Sequence, residues 1–139
     1  MINPDLMKLL DSFDTLEILR DSVKYQLEKM QNVEKSADGK EWHEELPQIV
    51  REKFDNYRKD YEKLSLVLKS EIAEITSKMN EGYYYWRLLR SACATYRNDL
   101  IEYDQQLIHE FNLKETREIS NNSTLNHCLG VLEQHVIEE

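Results

Sequence analysis

Apolar residues recur along this chain in alternating steps of three and four, the spacing that lays a stripe along one side of an α-helix. The first stripe runs Leu6, Leu9, Phe13, Leu16, then Arg20, then Val23, Leu27 and Met30. It predicts one continuous helix over 4–35 with a heptad seam and a single charged intruder. Asn3 stands where an N-cap is needed, Pro4 suits the first helical position, and Asp5 meets the positive end of the helix dipole. Acids then crowd the first half and lysines the second, which complements that dipole. Arg20 at a core position predicts a guanidinium that pairs with an acid or snorkels to the edge, and so sets helix register.

A polar stretch, Ser36 to Lys40, closes this segment, and Asp38 with Glu41 fits a capping box for the next one. The seam resumes at Val50 and continues through Phe54, Tyr57, Tyr61, Leu64, Leu68, Ile72, Ile75 and Met79. Two successive steps of four around Leu68 form a stutter, which relaxes a supercoil locally. Beyond Gly82 the rhythm goes on through Trp86, Leu89, Cys93, Tyr96, Leu100, Tyr103 and Leu107. One helix over 48–112 reaches ~98 Å at 1.5 Å per residue, far beyond the usual length. A break at Asn80-Glu81-Gly82 instead yields three segments of roughly 45 Å each, the matched lengths that an up-down bundle needs. The second reading is preferred, although the phase of the seam is unbroken. A short last helix carries Leu125, Cys128, Leu129, Leu132 and Val136 on one face, so it must dock on something.

The fold class expected is therefore all-α: an antiparallel, coiled-coil-like bundle of long amphipathic helices at about 4–35, 47–79 and 83–112, with a short C-terminal helix at 123–137. The 139 residues form one domain by size. With 3 Gly and 2 Pro there is little turn material for a sheet. No apolar run approaches the ~18 residues of a membrane span, so membrane insertion is not expected. Leu6, Met7, Leu9 and Leu10 make too short a cluster for a signal peptide, and two isolated cysteines make no disulfide framework. Together these predict an intracellular, cytoplasmic protein.

Composition excludes more chemistry than it suggests. Three scattered glycines build no phosphate loop, and the sequence holds no paired-histidine zinc motif, no Cys-x-x-Cys and no nucleophile elbow. No catalytic residue, cofactor or metal is expected, and the protein is read as non-enzymatic. Cys128 and His135 are seven apart and share a helix face, but Cys128 fits the apolar stripe as a small hydrophobe and a third ligand is missing.

Charge singles out one place. The chain carries net charge −9, yet residues 83–97 carry +3, from Arg87, Arg90 and Arg97, beside four consecutive aromatics, Tyr83 to Trp86. Successive helical residues turn by ~100°, so those aromatics cannot share one core face. Trp86 lies on the seam, whereas Tyr83, Arg87, Arg90, Ala94 and Arg97 make a neighbouring stripe. In one account these arginines bridge to acids on neighbouring helices, with this helix central. In the other, Tyr83, Tyr84, Arg87, Arg90 and Arg97 form a partner-binding surface, tyrosine and arginine being common at binding hot spots. The net −12 outside the island makes nucleic acid a poor partner. The expected function is a helical protein–protein interaction module, a small subunit or adaptor of a larger assembly. The alternative is an acidic antagonist or chaperone occupying a basic surface of one client. A protein partner, or a second copy of the chain, is expected in either case.

Overall fold

A computed structural model describes residues 2–35, 47–111 and 123–136. The expected loop at Ser36–Lys40, the capping box of Asp38 and Glu41, the helix end at Asn112 and residue 137 lie outside the described residues. Helix is the only regular structure among the described residues, in six elements. They are α1 (Pro4–Asp11), α2 (Phe13–Lys35), α3 (Gln48–Leu68), α4 (Ile72–Met79), α5 (Tyr84–Phe111) and α6 (Ser123–His135).

The N-terminal start is as the sequence predicts: the Asn3 side chain accepts from the Asp5 amide at 2.8 Å, with Pro4 following. The continuous helix over 4–35 is not found. Ser12 leaves the helix with φ −101° and ψ 131°, and α2 begins at the next residue. Two side-chain and backbone bonds stabilise the corner. The Thr15 hydroxyl donates to the Leu9 carbonyl at 2.5 Å, and the Ser12 carbonyl accepts from the Leu16 amide at 3.0 Å. The break swings α1 out of line, so that it packs on α2, α4 and α6. Leu6, Leu9 and Leu10 are buried there, whereas Phe13, a seam position in the sequence, is left 71% exposed. Tertiary burial of three leucines outweighs the alignment of one phenylalanine, since each fully buried side chain is worth about 2 kcal/mol.

The segment over 47–79 is likewise two helices. The chain leaves α3 at Lys69, whose amide bonds back to Leu66, and Glu71 is extended before α4. The Ser70 hydroxyl closes the end by donating to the Leu66 carbonyl at 3.0 Å. The break falls at the stutter around Leu68, where the seam loses phase. Ile72, on the far side of it, is exposed.

The chain also leaves the helix between Met79 and Tyr84, as the segment lengths predict. Asn80 ends α4 in ordinary right-handed geometry, with its amide bonded to Thr76. A Cβ on Gly82 would meet nothing within 4 Å, so the turn does not depend on glycine. Trp86 holds it instead: the fully buried indole donates to the Met79 carbonyl at 2.9 Å, filling an acceptor that the helix end leaves open.

Helix α2 is the hub, packing on α1, α3, α5 and α6, while α5 packs closely on α2 and α6. Arg20 on α2 meets the end of α3 at Leu68, while Met30 shares a cavity with Tyr57 and Tyr61. The two helices therefore run in opposite directions. Against α5 the register rises together: Tyr25 stacks near Tyr96, with ring centroids 5.0 Å apart, and Lys29 reaches Asp99. Leu19, Ser22 and Val23 of the hub are all buried, along with Trp86, Leu89, Ala92 and Cys93 of α5. Small residues at Ser22, Ala92 and Cys93 let the two backbones approach. The expected docking face of α6 is found: Leu125, Cys128, Leu129, Leu132 and Val136 are buried against α5, α2 and α1.

Candidate functional site

The aromatic island does not stay together on the surface. Tyr84 opens α5 and is 43% exposed; its hydroxyl donates to the Asp60 carboxylate on α3. Loss of hydration at the hydroxyl, then the Asp60 charge, push the Tyr84 phenol above its ordinary value, so it stays a donor. Tyr83 and Tyr85 are half-buried against the core. Arg87 and Arg90 are half-buried as well, and neither is without partners. Arg97 points elsewhere: its Nε donates to the Asn126 side chain of α6 at 2.6 Å. Of the five residues proposed to face a partner, Tyr84 and Arg87 thus line one recess, and Arg97 ties α6 to α5.

That recess is a cavity of 410 Å³ between α2, α3 and α5. Its wall is formed by Tyr57 and Tyr61 of α3, Gln26 and Met30 of α2, and Tyr84, Arg87, Leu88 and Ser91 of α5. Helical spacing explains each contribution: Tyr57 and Tyr61 are one turn apart, as are Gln26 and Met30, and Tyr84, Arg87, Leu88 and Ser91 share a face. Tyr61 is buried and its hydroxyl donates to the Leu88 carbonyl at 3.3 Å, so it braces the floor. Burial raises the pKa of this phenol too. Tyr57 stands at the rim, 52% exposed. The Gln26 Oε1 atom is buried and accepts no hydrogen bond. A buried amide oxygen without a donor costs about 1–3 kcal/mol.

A second recess of 470 Å³ lies farther along the α2–α5 seam, lined by Tyr25, Glu28, Lys29, Asn32, Val33, Asp99, Glu102, Tyr103 and Gln106. Its central polar groups satisfy one another. Asp99 accepts from the Tyr25 hydroxyl at 2.5 Å and from Lys29 Nζ at 2.7 Å. Burial raises the Asp99 pKa, but the bonds from Lys29 and Tyr25 outweigh it, leaving the carboxyl below its ordinary 3.8. Burial, reinforced by Asp99, raises the Tyr25 phenol.

No protein-family model matches this chain, nor does any curated protein or any solved structure. The site must be read from its own chemistry.

Among the described residues no group of three or more His, Cys, Asp or Glu side chains is placed to hold a metal ion. His135 lies 3.3 Å from the Asp5 carboxylate, joining α6 to α1, while His127 is exposed and Cys128 is core. Both thiols are suppressed as nucleophiles: burial pushes Cys93 up to about 12 and Cys128 up to about 11. No described helix is long and apolar enough to cross a membrane.

Reasoning from the sequence missed Gln26, Tyr61 and Ser91 as parts of the recess. Tyr57 and Tyr61 were visible only as seam positions. Nothing in the sequence brings α2 against both, because that depends on how α3 crosses the hub.

Proposed function

We propose that this chain is a non-enzymatic helical interaction module, a small subunit or adaptor of a larger assembly, acting in the cytoplasm. In this reading the long helices form the antiparallel, coiled-coil-like bundle that their seams predict. The partner is another protein, or a second copy of the chain, and it is engaged on the α3–α5 side. The observation that carries the reading is the pair of rim tyrosines, Tyr57 and Tyr84, standing exposed around a recess whose floor is aromatic. Tyrosine offers contact area at small entropic cost, and Arg87 beside it adds a planar donor set.

The test is a double variant, Tyr84→Ala with Arg87→Ala, assayed for partner capture and thermal stability on the same preparation. The stoichiometric partner is first identified by affinity capture and mass spectrometry from the native host. Capture of that purified partner falls by about fivefold or more per hot-spot residue in a variant that remains folded at the assay temperature. Normal capture by the folded double variant removes the proposal.

A further inference from the structure

We draw no further inference here: the strongest candidate, the recess on the α2–α5 seam lined by Glu28, Glu102, Tyr25 and Tyr103, is a cluster of exposed acids around an Asp99 already bonded to Lys29 and Tyr25, and nothing in the structure shows what covers it.

Discussion

The Arg20 guanidinium donates through Nε to the Leu68 carbonyl at 2.5 Å, joining the hub helix to the last turn of α3. The bond satisfies a carbonyl that the helix end leaves open and sets a positive charge at the negative pole of the α3 dipole. A charged residue in an apolar stripe is thereby explained without an acid partner: it specifies where α3 stops against α2.

Replacing that arginine therefore costs stability at one joint. Arg20→Met, which keeps the aliphatic stem, is expected to lower the unfolding free energy by about 2 kcal/mol, as for a hydrogen bond to a charged donor. Arg20→Lys recovers only part of it, because the ammonium does not reproduce the Nε geometry. Urea unfolding of the three proteins measures both. Equal stability of all three removes the joint from the account.

Glycine is dispensable at two places, Gly82 in the turn before α5 and Gly130 inside α6. Gly130 sits inside α6 on an exposed position, and a Cβ there, as at Gly82, meets nothing within 4 Å. Gly130→Ala is expected to raise stability by about 1 kcal/mol through helix propensity. Gly82→Ala gains roughly 0.4–1 kcal/mol by restricting the unfolded chain. A fall in melting temperature for either variant contradicts the geometry.

The Tyr25–Asp99–Lys29 link has a pH window. The folded Asp99 pKa lies below 3.8, so its contribution is present above the unfolded value and lost as pH falls through the folded one. Tyr25 is raised from 10.0, so its contribution holds below that value and is lost as pH rises through the folded pKa. Asp99→Asn is expected to cost about 1 kcal/mol at pH 7, the link being partly exposed to solvent. The penalty shrinks as pH falls below 3.8 and on through the lowered folded pKa, where the carboxylate of the unaltered chain protonates. Chemical denaturation at pH 7 and in acid checks the sign.

Thiol labelling reports global opening. Cys93 and Cys128 are buried with raised pKa values, so alkylation at pH 8 is expected to follow unfolding rather than surface exposure. Stabilising the chain with Gly130→Ala should slow modification of both cysteines together. Rapid labelling of Cys128 alone shows instead that α6 leaves the body independently.

Local spacing and capping by themselves determined the helical class, the N-cap at Asn3 and the face that α6 buries. Each of these depends on residues within a turn or two of one another, and apolar period records them directly. The corner at Ser12 lay beyond that reach. The seam runs through it in phase, and the chain breaks only because α4 and α6 offer Leu6, Leu9 and Leu10 a better burial than a straight helix does. The fate of the aromatic island was equally tertiary. Tyr84 and Arg87 turn toward α3 while Arg97 turns toward α6, since the helices flanking α5 on its two sides are set by packing on α2. Gln26 shows the limit most plainly: the side-chain oxygen of an ordinary polar residue on an amphipathic helix becomes buried and unpaired only when the helices close around it.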